Sequence, residues 1–101
     1  MTEKCDVCTV RHAHHSADFK DGMKNRMSRI EGQIRGISRM IQEDVYCDDI
    51  LNQIAAVQNA LVSAGEVLLD AHIKSCIVEN IQAGRLEAVD ELMVTIKRLI
   101  R

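Results

Sequence analysis

The stretch that most constrains this chain is CDDILNQIAAVQNALVSAGEVLLDAHIKSC, from Cys47 to Cys76, which contains no proline. Its apolar residues Ile50, Ile54, Val57, Leu61, Ala64 and Leu68 recur at alternating steps of four and three. That spacing is the seam of a long helix. Asp48 and Asp49 stand where acids favour a helix start. The pattern predicts a helix from residue 47 to about 82, with Gly84 as its C-terminal cap.

Three metal-type side chains frame that helix. His72 and Cys76 are four residues apart, so they share a face and can grip one ion. Cys47 precedes His72 by a length of helix worth roughly 38 Å at about 1.5 Å per residue. Thiolate and imidazole bonds to a metal run to about 2.0–2.3 Å. Two readings follow. Cys47 is unrelated to the pair, as a small hydrophobe often is, or it joins the pair of a second chain. In the second reading two chains lie antiparallel about the middle of this helix, and the two-fold axis generates two identical sites.

Composition sets the class. With no proline or tryptophan, one Phe and one Tyr, aliphatic side chains must build the core of a single all-α domain of three helices. A core from 101 residues arranged this way is small, and a long seam calls for a partner. The N-terminus carries no hydrophobic run, so neither a signal peptide nor a membrane span is expected. The expected compartment is the cytoplasm, where metal binding or thiol chemistry is a commoner role for cysteines than disulfides.

Residues 1–16 read as a flexible tail rich in Cys and His, ahead of a helical domain over residues 17–101. Cys5 and Cys8 form a Cys-x-x-Cys pair, followed by His12, His14 and His15. Nothing apolar folds around them, so the tail is either an incidental chelator, an accessory site or the source of a fourth ligand. A first helix over about 18–43, capped by Ser16 or Asp18, aligns Phe19, Met23, Met27, Ile30, Ile34, Ile37 and Ile41 in one stripe. Lys20, Lys24, Arg35 and Arg39 cluster on one flank of it, Arg26 and Arg29 on the other. Gly32 and Gly36 lie opposite the stripe, a place where DNA or another backbone could come close. A third helix over about 86–100 presents Val89, Leu92, Met93, Ile96 and Ile100.

The formal net charge of −2 conceals an asymmetry. Residues 20–39 carry a local +4, which leaves −6 elsewhere. A basic surface on an acidic protein suits a polyanion, although a charge run also serves as a solvated helix face. No phosphate-binding glycine loop or nucleophile motif is present, which argues against an enzyme.

Together, Arg26-Met-Ser-Arg-Ile-Glu-Gly-Gln-Ile-Arg-Gly36, Tyr46-Cys47, Gln53-Ile-Ala-Ala-Val-Gln58 and His72-x-x-x-Cys76 resemble the copper-sensitive operon repressor (CsoR/RcnR) family. The resemblance covers residues 15–100. It implies three helices in an antiparallel dimer, assembled as a dimer of dimers, that binds operator DNA without a helix-turn-helix and releases it when the cognate species binds. Copper sensors of the family carry Cys, His, Cys where this chain has Cys47, His72 and Cys76. Persulfide sensors lack the histidine, cobalt and nickel sensors carry His at the last position, and the formaldehyde type lacks the last cysteine. Some nickel members keep Cys-His-Cys and add an N-terminal His, which His15 matches by residue count. Tyr46 and Glu91 match positions just outside the ligands said to couple metal to DNA affinity. Ser63 departs from the arginine that some copper members use for DNA.

Two thiolates and one imidazole form a soft, low-coordinate set that suits Cu(I), whereas Zn(II) wants a fourth ligand and Ni(II) a planar or larger set. The leading expectation is a Cu(I)-responsive repressor of copper efflux or resistance genes, with Lys20, Lys24, Arg26, Arg29, Arg35 and Arg39 on DNA phosphates. The alternatives are a Ni(II)-responsive repressor using His15, and a cytosolic copper buffer or chaperone. A copper chaperone is a further expected partner.

Overall fold

The computed structural model describes residues 15–100. Every regular element among them is helical: α1 (Ala17–Gln42), α2 (Cys47–His72), a π-helical turn (Ile73–Ile77), α3 (Val78–Gln82) and α4 (Glu87–Leu99). His72 and Val78 both keep right-handed helical backbone angles, so α2, the π turn and α3 form one continuous second helix. The architecture is all-α with three helices, and its limits fall within a residue or so of those expected from the sequence. The widened turn inside the second helix was not expected.

Both interhelical connections use the same device. At the end of α1, the Val45 N–H donates to the Met40 carbonyl at 3.0 Å and the Asp44 N–H to the Ile41 carbonyl at 3.2 Å. At the end of α3, the Arg85 N–H donates to Asn80 at 2.8 Å and the Gly84 N–H to Ile81 at 3.0 Å. These paired bonds are Schellman turns, which close the last orphan carbonyls of a helix and need a left-handed residue just beyond it. Gly84 takes that role with φ of 81°, and Asp44 with φ of 55°.

By packing, the chain divides into two compact units: Asp18–Gly65, and one that includes residues 66–100. In the first, Arg26, Arg29, Ile30 and Gln33 of α1 line one half-open hollow of about 320 Å³ with Ala60 and Ser63 of α2. Residues equidistant from the connection, such as Arg29 and Ala60, therefore meet, as in an antiparallel helical hairpin. This pairing covers only part of each apolar stripe. Ile30 is 5 % exposed, yet Ile34 is 48 % exposed and Met27 is also open. At about 100° per residue, those two lie about 40–60° round the helix from Ile30. On α2, Val57 is 7 % exposed while Leu61 is 45 % exposed, with Ile54 open beside it. The two lie at the same offset from Val57.

In the second unit, α3 continues the π turn and contacts α4. Cys76, Ile77 and Leu92 supply the buried apolar side chains there, with Asn80 as the buried polar one.

Asp44 yields the first prediction. A side chain in the left-handed region costs about 1–2 kcal/mol, and a glycine's extra freedom in the unfolded chain costs roughly 0.5–1 kcal/mol. Asp44→Gly is expected to stabilise the protein by about 0.5–1 kcal/mol, read as a higher denaturation midpoint. An unchanged or lower midpoint would show that Asp44 itself contributes to the turn.

Candidate functional site

Cys47 is the first residue of α2 and its thiol is free and exposed. The preceding residue, Tyr46, holds the cap position: its carbonyl accepts from the N–H groups of Asp49 at 3.0 Å and Ile50 at 3.3 Å. The Tyr46 ring is exposed. Asp48 and Asp49 occupy the first turn, where the helix N-terminus favours acids. From there α2 runs unbroken for 26 residues to His72, its last residue. Rigid helix thus separates Cys47 from His72 in sequence and in rise, as the spacing implied.

His72 is half-buried, and Cys76 lies four residues on, 3 % exposed, within the π turn. The Val78 N–H donates to the Ile73 carbonyl five residues back, where an α-helix would reach four. Side-chain donors flank this widened turn. The Ser75 hydroxyl donates to the Ala71 carbonyl at 2.7 Å, and Asn80 Nδ2 to the Cys76 carbonyl at 2.8 Å. Arg85 Nε in turn donates to Asn80 Oδ1 at 2.8 Å. Outside, Lys74 and Asp70 pair at 3.0 Å with both side chains largely solvated, a contact worth little. Single π turns inside α-helices occur frequently at functional sites.

Cys76 is buried within that turn, and it can serve as a metal ligand only as the reduced thiolate. Among the described residues, no group of three or more His, Cys, Asp and Glu side chains is placed to hold a metal ion. The structure brings His72 and Cys76 to one turn, with Cys47 at the far end of the helix. Glu91 is exposed on α4, and its carbonyl accepts from the Thr95 hydroxyl at 3.1 Å. His15 is half-buried just ahead of α1, while Cys5, Cys8, His12 and His14 lie outside the described residues.

The basic residues occupy α1. Lys20, Lys24, Arg29, Arg35 and Arg39 are exposed, and Arg26 is half-buried at the hollow. Among the described residues, nothing beyond the local helix backbone approaches within 4 Å of a side-chain carbon built at Gly36, and one built at Gly32 meets only the tip of Arg35 at 3.9 Å. The face opposite the stripe is therefore open. Among the described residues, no helix is long and apolar enough to cross a membrane.

A family model of metal-sensitive transcriptional repressors matches residues 19–98. The chain belongs to that family. The copper-sensing transcriptional repressor RicR of Mycobacterium tuberculosis is 44% identical over 92 residues, spanning 88% of this chain and 96% of that protein. The copper-sensing repressor CsoR of Bacillus subtilis is 43% identical over 89 residues, 87% of this chain and 88% of its own. Among solved structures, the copper-sensing repressor CsoR with Cu(I) from Geobacillus thermodenitrificans matches with a TM-score of 0.81 at 37% identity, covering 87% of this chain and 93% of that one. The nickel-responsive transcriptional regulator InrS matches with a TM-score of 0.68 at 36% identity, covering 89% and 99%. The fold is that of CsoR, and the family is one of non-enzymatic repressors, which act on DNA.

Reading the sequence missed Ser75, Asn80 and Arg85. The only trace of them was Asn80, a polar residue between Ile77 and Ile81 in an otherwise apolar helix face.

For a repressor, the open basic face of α1 makes a measurable claim. Alanine at Arg29, Arg35 or Arg39 is expected to weaken binding to every DNA sequence alike. Each should lower the slope of log K against log salt by about one unit. Slopes equal to the parent's across all three would make the charge run a solvated face and nothing more.

Proposed function

We propose that this chain is a Cu(I)-responsive repressor: it holds operator DNA without the ion and releases it when Cu(I) binds, derepressing copper efflux or resistance genes. The observation that carries the reading is the unbroken α2 with Cys47 at its first residue, His72 at its last and Cys76 in the turn beyond. One chain cannot close that set. Two chains paired antiparallel along α2 can, with Cys47 of one meeting His72 and Cys76 of the other. The half-covered stripes support such pairing, since Met27, Ile34, Ile54 and Leu61 present aliphatic surface that a second copy would bury. A dimer of dimers then extends the basic surface along DNA.

The donor set fits the ion. Two reduced cysteines and one imidazole are soft and few, which favours Cu(I) over Zn(II) or Ni(II). The copper-sensing names of RicR and CsoR, and the Cu(I) in the solved relative, point the same way. Cys47 of one chain with His72 and Cys76 of the other would hold Cu(I), which would supply a link between the start of one α2 and the end of another. The residues do the rest. His72, engaged through one ring nitrogen, keeps the other N–H to donate, and Tyr46 and Glu91 are the acceptors suited to it. Sequence choice on DNA comes largely from shape, because no recognition helix is available.

Two experiments test this. Mixing Cys47→Ala chains with chains carrying both His72→Ala and Cys76→Ala should rebuild one intact site per heterodimer. Proven heterodimers that never bind Cu(I) would end the shared-site reading. In the reduced parent, Cu(I) is expected to lower operator affinity at least tenfold. Release by Ni(II) instead, lost on His15→Ala, would assign the chain to nickel.

Glu91 allows a sharper test of the coupling. Glu91→Ala is expected to keep Cu(I) affinity within a few-fold of the parent while cutting the loss of operator affinity by about tenfold, or about 1.4 kcal/mol. Full release by that variant would mean that ligation alone drives the switch.

A further inference from the structure

The π turn carries side-chain hydrogen bonds on both sides. Widening a helical turn shifts the backbone bonding register and leaves donors and acceptors mismatched at its edges. Here Ser75 Oγ supplies a donor to the Ala71 carbonyl before the turn, and Asn80 Nδ2 supplies one to the Cys76 carbonyl within it. Asn80 is 9 % exposed, so its amide has little access to water and depends on these partners. Both ends of the amide are committed: Nδ2 to Cys76, and Oδ1 to Arg85 Nε at 2.8 Å. The backbone repeats the link, because the Arg85 N–H donates to the Asn80 carbonyl at 2.8 Å and the Arg85 carbonyl accepts from the Ala88 N–H. Arg85 therefore belongs at once to the Schellman turn that ends α3 and to the entry of α4. A chain of bonds runs from the backbone of Cys76 through one buried amide to the start of the last helix.

We infer that Asn80 is a positioning residue. It holds the Cys76 backbone in the widened turn and, through Arg85, makes α4 follow any displacement at Cys76. The inference rests on the repressor reading and supplies its regulation with a second route, inside one chain and separate from Tyr46 and Glu91. Neither Asn80 nor Arg85 is a ligand candidate, so each can be changed with the Cys47, His72 and Cys76 set intact. The two ends of the amide can also be separated. Aspartate at position 80 keeps an acceptor for Arg85 and loses the donor to Cys76. Methionine at position 85 keeps the length of arginine's stem and loses the donor to Asn80, and lysine there restores one donor.

The test uses the full-length reduced protein with two readouts. In the absence of metal, Asn80→Asp is expected to raise amide hydrogen exchange at Ile77 and Val78 at least fivefold over the parent. In operator titrations, Asn80→Asp and Arg85→Met should each bind DNA within about threefold of the parent before Cu(I) is added. Both should then lose at least tenfold of the parent's Cu(I)-induced drop in affinity, and Arg85→Lys should recover most of it. A merely structural role would lower the melting temperature and leave the ratio of operator affinities unchanged. Unchanged exchange in Asn80→Asp, or full Cu(I)-induced release by both Asn80→Asp and Arg85→Met, overturns the inference. If Asn80→Asp does not fold, the Arg85→Met and Arg85→Lys pair decides by its release ratio. A parent that releases operator with neither Cu(I) nor Ni(II) defeats the repressor reading, and with it the regulatory half of the inference. The exchange result then still decides whether Asn80 holds the turn.

Discussion

The stiffness of α2 is the constraint on which the rest of this protein depends. A helix of 26 residues cannot fold back on itself, so side chains at its two ends cannot meet within one copy. Any chemistry that needs both ends must recruit a second helix, and antiparallel pairing is the arrangement that brings unlike ends together twice. The same helix carries the apolar seam for that pairing. Val57 and Ala64 are already buried in a single chain, while Ile54 and Leu61 remain open. On the proposed reading, association and ion binding would both be properties of one element. An ion held between two copies would fix their register along α2, and association would set the distance between the ligands.

The π turn adds a local exception to that rigid rod. A serine and a buried asparagine donate to carbonyls on either side of the wider turn around Cys76. Each such hydrogen bond contributes about 0.5–1.5 kcal/mol net, but losing one partner of a buried group costs about 1–3 kcal/mol. That asymmetry makes the turn two-sided. It is stable while Asn80 keeps both contacts and costly to distort when one is pulled away.

Much of this was legible in the sequence, and the gaps have physical causes. The helix spans could be read because apolar steps of three and four survive any surface decoration, and because Gly84 sits where only a left-handed residue closes the turn. Asp44 performs the same office without glycine's signature, so nothing in the sequence marks its turn. The π turn was invisible because a one-residue slip leaves the short apolar pattern near Ile73 and Ile77 intact. Its supports, Ser75 and Asn80, look like ordinary helix residues until their partners are known. The stripe on α1 was correctly located, but sequence gives no means of telling that α2 covers the Ile30 side and leaves Ile34 open. Charge on α1 could be counted but not interpreted, and membership of a repressor family makes DNA the polyanion against which to test it.

A chain of modest net charge benefits from keeping its basic surface local. Phosphate contacts dominate affinity for DNA and are individually small, so a repressor can hold its operator through a handful of arginines and lysines and still let go. Release then requires no unfolding and no large domain motion. Misplacing two or three such contacts removes a few kcal/mol, and each 1.4 kcal/mol is tenfold in affinity. Coupling of about 1–3 kcal/mol between two sites is ordinary for proteins that switch. A hydrogen-bonded turn of five residues, held by side chains whose bonds are each worth about 1 kcal/mol, operates on the same scale. On the proposed coupling those two scales match: a stronger anchor at Cys76 would resist the ion, and a weaker one would fail to move α4.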